Sequence, residues 1–407
     1  SGALASTANY VDGLAQGEYK FYYESGELKR TVNYVDGLRQ GEWKYYYESG
    51  ELGHTGTYVD GELQGEYKEY YKSGKLKSTA NNVDGKLQGE KKYYYESGEL
   101  EYTANYVDGL RQGERKYYYK SGELEYTANY VDGLEQGEEK NYWGSTTWEG
   151  GQRVPGELES TGNYVDDLKQ GEEKEYYDSG TLYSIVNYVD GLRQGEFKKY
   201  WYSYNQDGSR NKERGELQST VNYVDGLRQG EYKFYSESTT WEGGQRVPGE
   251  LEYTVNYVDD LRQGEWKEYY KSGELQSILN YVDDLKQGEY KYYWESGELK
   301  YTANYLDGEL QGEYKEYFRS GELKSTANNV DDLLQGEWKY YYESGELEHT
   351  GTYVDGELQG EYKEYYKSGK LKSIVNYVDY LRQGEYKEYY ESGELKRTVN
   401  YVDGVEQ

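Results

Sequence analysis

The chain has 407 residues, a formal net charge of −30, 59 Tyr and 52 Gly, and neither Cys nor Met. Zero Cys excludes a disulfide framework and a thiolate metal site. The acidic balance argues against nucleic acid and anionic membranes as partners, and no stretch is long and apolar enough for membrane insertion.

Low mean hydropathy with high net charge is the composition of disordered chains. Here, however, the Tyr and 8 Trp recur at fixed positions, and their rings replace Leu and Val as core material. Ser1 to Asn9 matches the last nine positions of a 24-residue unit whose first full copy starts at Tyr10. Fifteen copies follow, starting at Tyr10, Tyr34, Tyr58, Asn82, Tyr106, Tyr130, Tyr164, Tyr188, Tyr223, Tyr257, Tyr281, Tyr305, Asn329, Tyr353 and Tyr377, and 401–407 is a partial copy. Such self-similarity implies one repeat array over 1–407, each unit burying its faces against its neighbours. The absence of an initiator Met before Ser1 points to a processed product or a fragment.

Within one copy the first strand is Glu42-Trp43-Lys44-Tyr45-Tyr46-Tyr47, and Glu48-Ser49-Gly50 is a short hairpin loop. The second strand is typified by Glu27 to Val35, and Asp36 to Gly41 is read as a longer return connection. Period-two alternation puts Glu42, Lys44 and Tyr46 on one face. Folding about Ser49 sets Tyr46 opposite Leu52, a pairing repeated as Tyr70 with Leu76 and Tyr94 with Leu100. Trp43 and Tyr47 take the other face, beside Thr55. The expected fold is all-β: successive antiparallel hairpins forming one long, twisted, single-layer sheet of about 31 strands at two per repeat.

Three copies carry insertions at the Ser-Gly hairpin, at about 144–153, 202–214 and 237–246. The first and third share fifteen identical residues, 145–159 and 238–252. Loops on a rigid scaffold are where binding concentrates, so Trp148, Glu149, Arg153, Trp241, Glu242 and Arg246 are candidate binding residues. Arg210 and Lys212 in the locally basic second insertion join them. Nearby, the aromatic of the tenth unit position becomes Lys91, Arg115, Glu139 and Glu173 in four consecutive copies, a docking patch or drift.

The pattern Tyr34-Val35-Asp36-Gly37, Gln40-Gly41-Glu42, Lys44, Tyr46-Tyr47, Ser49-Gly50 and Leu52 resembles a MORN repeat, in the variant form of bacterial surface proteins and YwqK-type antitoxins. The resemblance covers essentially the whole chain and implies hairpins in one extended sheet with a scaffold or interaction role. It departs from the better-known eukaryotic form at Gln40-Gly41-Glu42, so the lipid binding proposed for some such proteins is not carried over.

No catalytic constellation is present, so the protein is not expected to be an enzyme. His54 and His349 occupy the same position in near-duplicate copies and read as solvent-facing strand residues. Each Asp-Gly pair brings one carboxylate where calcium needs six to eight oxygens. These pairs therefore read as turns and no cofactor is expected, with calcium as the alternative. The leading expectation is an extracellular or bacterial cell-surface structural protein, a rigid rod or filament subunit with an adhesive role. Its partners would be itself, end to end through open strand edges, or another protein or surface ligand. The alternative is an intracellular protein-binding module of antitoxin or immunity type.

Overall fold

The computed structural model describes residues 5–145, 148–149, 152–153, 156–205, 208, 215–238, 241–242 and 245–407, with only the backbone of 148–149, 152–153, 241–242 and 245–246. Among these residues there are strands and turns and no helix. Of 44 strand segments, 38 belong to one antiparallel sheet. Thirty-one segments are one leading strand plus two per repeat, and the others are two-residue pieces beside the turns.

The Ser-Gly hairpin forms because Gly accepts a left-handed backbone. Gly50 sits at φ 97° and donates its N–H to the Tyr47 carbonyl at 2.9 Å, while Tyr47 N–H donates to Glu51 O at 2.8 Å. Strand Gly41–Tyr46 then pairs with Leu52–Val59 from Gly41 opposite Tyr58 to Tyr45 opposite His54. A shift follows, leaving Gly53 as the extra residue and setting Tyr46 opposite Leu52. The same shift recurs at Tyr70 with Leu76 and at Tyr94 with Leu100.

The return connection differs from the sequence expectation. Val35 pairs directly with Leu38 across a two-residue turn in which Asp36 (φ 48°) and Gly37 (φ 83°) are both left-handed. A two-residue hairpin whose strands twist correctly requires positive φ at both central residues, and Asp tolerates that region. The remaining residues of the supposed loop are strand. Gln40 separates Leu38–Arg39 from Gly41–Tyr46, whereas in the next copy Glu62–Tyr70 runs continuously; Gly41 and its equivalent Gly65 are both left-handed, at φ 79° and 73°. Where the turn Gly is replaced, Asp167, Asp260, Asp284, Asp332 and Tyr380 still hold φ between 64° and 69°. All five replacements bring a side-chain hydrogen bond: Asp167 accepts the Glu135 N–H (2.6 Å), Asp332 accepts the Leu310 N–H (2.7 Å), Tyr380 Oη donates to Gly356 O, and two pair with an arginine. Asp260 accepts the Arg228 backbone N–H (2.9 Å) and Nε (2.8 Å), and Asp284 does the same with Arg262.

The chain divides into two compact blocks, Ser1–Gln194 with Tyr202–Gly215, and Gly195–Trp201 with Glu216–Gln407. Each has the same two-faced logic. One face stacks rings over a row of small residues at the twenty-third repeat position: Ala104 and Ala128 are 1% and 0% exposed in the first block, and Val255 is 0% exposed in the second. In the second block Tyr253 lies nearly parallel to Phe234 (5.1 Å, 17°) and Trp266 (4.9 Å, 6°). The opposite face carries an ion pair within every first-type strand, as between Glu42 and Lys44 at 2.8 Å. These pairs are well exposed, so each adds little stability.

Register corrects two assignments. Thr55 pairs with Lys44 and so lies on the charged face, not beside Trp43. The two histidines are not solvent-facing. His54 pairs with Tyr45, and Tyr67 Oη lies 2.9 Å from its Nδ1. His349 stacks on Tyr340 at 4.8 Å, and burial holds its pKa below the usual histidine value.

Candidate functional site

Repeats are tied to one another along both turn edges. At the Ser-Gly edge the fourteenth residue of a repeat reaches the carbonyl of the thirteenth residue of the next. Tyr23 Oη donates to Tyr46 O and Tyr47 Oη to Tyr70 O, both at 2.8 Å, and Trp143 Nε1 serves Tyr176 O at 3.3 Å. At the Asp-Gly edge the turn Gly37 donates its backbone N–H to Ala15 O at 3.0 Å. The invariant Gln of one repeat binds the turn Asp of the following one: Gln287 Nε2 donates to Asp307 Oδ1 (3.0 Å), and Asp307 N–H returns to Gln287 Oε1 (2.9 Å). Eleven turn carboxylates among the described residues accept from such an amide, which gives Asp a structural role at this position. No cluster of three or more potential metal ligands occurs among the described residues.

The insertions leave the closing bond of their hairpin in place. Trp143 N–H donates to Glu157 O (2.8 Å), Trp201 N–H to Glu216 O (2.8 Å) and Ser236 N–H to Glu250 O (2.9 Å), as Tyr47 does to Glu51 where nothing is inserted. In the two identical insertions Trp148 pairs with Arg153 and Glu149 with Gln152, and Trp241 pairs with Arg246 and Glu242 with Gln245. The candidate Trp and Arg are therefore cross-strand partners in a small secondary hairpin. The side chains of these six candidate residues, and Arg210 and Lys212 altogether, lie outside the described residues.

The base of each such hairpin is built tightly. Ser145 N–H donates to Glu123 Oε1 of the preceding repeat (3.2 Å), and Ser238 N–H to Glu216 Oε2 (3.4 Å). A Cβ on Gly156 would come within 1.6 Å of the Trp143 carbonyl, and one on Gly249 within 1.7 Å of the Ser236 carbonyl. Only glycine allows that approach.

In the first block the polar run at the tenth position is compensated internally. The Arg115 guanidinium lies over Tyr117 at 4.6 Å, bonds Tyr117 Oη and donates to Tyr130 Oη at 2.8 Å. Tyr130 Oη in turn donates to Glu135 at 3.1 Å. Burial, then the charge of neighbouring Glu139, pushes the Glu135 carboxyl up. Glu173 pairs with Lys169, and Lys91 lies over the Tyr93 ring at 4.9 Å.

Sequence reasoning passed over one departure. Ser236 is the single non-aromatic residue at the fourteenth position in all fifteen repeats, and a cavity of about 310 Å³ opens beside it. Aligning the copies column by column is enough to find it.

Twelve segments of the chain match the family model described as the MORN repeat variant: 15–36, 39–60, 63–81, 87–108, 111–132, 169–190, 262–283, 286–307, 310–328, 334–355, 358–379 and 382–403. No curated protein matches the sequence. Among solved structures, similarity extends to the crystal structure of TcdB2-TccC3-Cdc42 (11% identity, TM-score 0.15), covering 98% of this chain and 23% of that one. It extends also to the Tc holotoxin pore of Photorhabdus luminescens (11% identity, TM-score 0.17), covering 98% and 26%. The chain spans only a minor part of each, and likeness at these TM-scores carries no weight.

Proposed function

Since the chain belongs to the MORN repeat variant family, we propose that it is a non-enzymatic structural scaffold of the cell surface or extracellular space that presents inserted hairpins to a protein or surface partner. The observation carrying this reading is the bond from the fourteenth N–H to the eighteenth carbonyl, kept at all three insertions. The array can thus display added chain without disturbing the ladder that holds it. Binding residues are commonly mounted in this way, on loops held by a rigid frame. The charge of −30 favours a dispersed, soluble surface.

The reading is tested by replacing 144–153 and 237–246 with the uninterrupted Glu-Ser-Gly turn and measuring adsorption of purified protein to intact cells of its source. Adsorption should be lost while the thermal melt is kept. Undiminished adsorption refutes the loop role. Antibody labelling that requires permeabilised cells refutes the surface location.

A further inference from the structure

In ten repeats the fourteenth residue fills a slot between successive hairpins with an aromatic ring whose O–H or N–H donates to the next repeat's thirteenth carbonyl at 2.6–3.3 Å. A second element accompanies the ring wherever the fifteenth residue of the next repeat is a cation. Lys72 lies over Tyr47 (6.0 Å), Lys120 over Tyr95 (5.9 Å), Arg319 over Trp294 (5.3 Å) and Lys367 over Tyr342 (5.6 Å). The chain therefore shows repeatedly what this slot accepts: a flat ring, a donor at its far edge and a cation above its face.

At one place the ring is missing and the rest is present. Ser236 holds the fourteenth position, and its hydroxyl turns away to the Glu250 carbonyl at 3.3 Å. Lys271 is the fifteenth residue of the following repeat, and it lines the resulting cavity together with Ser236, Tyr253, Tyr269 and Tyr270. No described side chain donates to the Tyr269 carbonyl, the acceptor equivalent to Tyr46 O or Tyr70 O. Glu250, Glu252 and Glu268 also line the space, which disfavours an anionic ligand. Glu268 is held in place by Ser277 Oγ at 2.8 Å.

We propose that this cavity is a binding slot for a phenol or indole ring supplied from outside the repeat, neutral or cationic, which lies beneath Lys271 and donates to the Tyr269 carbonyl. The ligand would complete the hairpin contact that Ser236 leaves open. The same ring chemistry occurs in free small phenols and in tyrosyl side chains of a polypeptide. This inference does not rest on the loop-presenting role, because all the residues it uses lie outside the inserted hairpin.

The test uses the full chain, with p-cresol, N-acetyl-tyrosinamide and toluene titrated calorimetrically and followed by saturation-transfer NMR. The two phenols should bind, and toluene, which lacks the donor, several-fold more weakly. Ser236→Tyr restores the residue type the repeat uses elsewhere. It should fold, fill the slot and abolish phenol binding. Lys271→Ala should weaken binding about threefold, the range of an exposed cation–π contact. Tighter binding of the amide than of p-cresol assigns the ring to a polypeptide, and the reverse assigns it to free phenols. Absence of phenol binding to the native chain overturns the proposal. So does phenol binding unchanged by Ser236→Tyr, which would place it on the general tyrosine surface.

Discussion

Removing a single hydroxyl, with Tyr95→Phe, tests whether the ties between repeats hold the array together. Tyr95 Oη donates to Tyr118 O at 2.7 Å, joining one hairpin to the end of strand Leu110–Tyr118 in the next. Phenylalanine keeps the ring and its place under Lys120 and deletes only the donor. A hydrogen bond contributes about 0.5–1.5 kcal/mol net, and an acceptor left unsatisfied when fully buried costs more. The ring is only half-buried, so water reaches the orphaned carbonyl and the loss should be about 1 kcal/mol. That is about fivefold in the local opening equilibrium. The global melt is the wrong assay, because contacts in an array are nearest-neighbour and distant repeats stay folded. Amide hydrogen exchange resolved along the chain is the right one. Exchange should quicken over residues 110–124 and stay unchanged a few repeats away. The reverse change, Phe318→Tyr, supplies a donor for the Tyr341 carbonyl and should slow exchange there by a similar factor. Unaltered exchange in both variants, or acceleration spread evenly along the chain, would refute the reasoning.

Burial pushes the Tyr362 hydroxyl up to about 12, against about 10 in an unfolded chain. The folded state then resists ionisation. The contribution of this hydroxyl to stability is complete below about 10 and is lost as pH rises from about 10 to about 12. Residue-specific NMR of the Tyr362 ring should show it ionising across that window, and its ionisation at about 10 with the fold intact would contradict the reading. Gly249→Ala drives a Cβ into the Ser236 carbonyl and should break the Ser236–Glu250 bond at the base of the third insertion. Rapid exchange of the Ser236 amide, with the neighbouring repeats unaffected, is the expected result, and unchanged protection the contrary one.

Much of the fold was legible in the sequence because the repeat exposes its own grammar. The 24-residue period, the Ser49-Gly50 hairpin and the pairing of Tyr46 with Leu52 all follow from strand alternation folded about one glycine. The Asp36–Gly41 segment was harder to read, because glycine, glutamine and arginine in a run look like loop. Asp36-Gly37 between Val35 and Leu38 is nevertheless a two-residue hairpin signal. Gly41 is left-handed, yet its equivalent Gly65 lies within a continuous strand. Missing the extra residue at Gly53 does not alter the Tyr46–Leu52 pairing, but it moves Thr55 to the lysine side, since a shift of one residue reverses every face beyond it.

The ring face contained a further signal. Glu69 pairs with Ser78, Glu268 with Ser277 and Glu364 with Ser373, whereas Tyr93 pairs with Tyr102 and Tyr292 with Tyr301. The two columns vary together within one chain, which identifies them as touching even without relatives. The hydroxyl ties could not be read in this way. Their partners are separated by nearly a whole period, and a tyrosine that donates looks the same in sequence as one that only packs.

Every such tie runs in one direction, from the fourteenth residue of a repeat to the thirteenth of the next, and most of them span 23 residues. The span stretches to 33 at Trp143 and 34 at Trp201, where inserted chain intervenes, without breaking the contact. A copied or deleted repeat therefore leaves every donor facing an acceptor, since the new neighbour offers the same carbonyl as the old. Half a repeat would put a donor against the wrong strand. The chain can lengthen or shorten only in whole periods, and extra sequence is tolerated only at the turn. That is the pattern of the sequence itself, in which a fifteen-residue passage recurs letter for letter at the same turn of two different repeats.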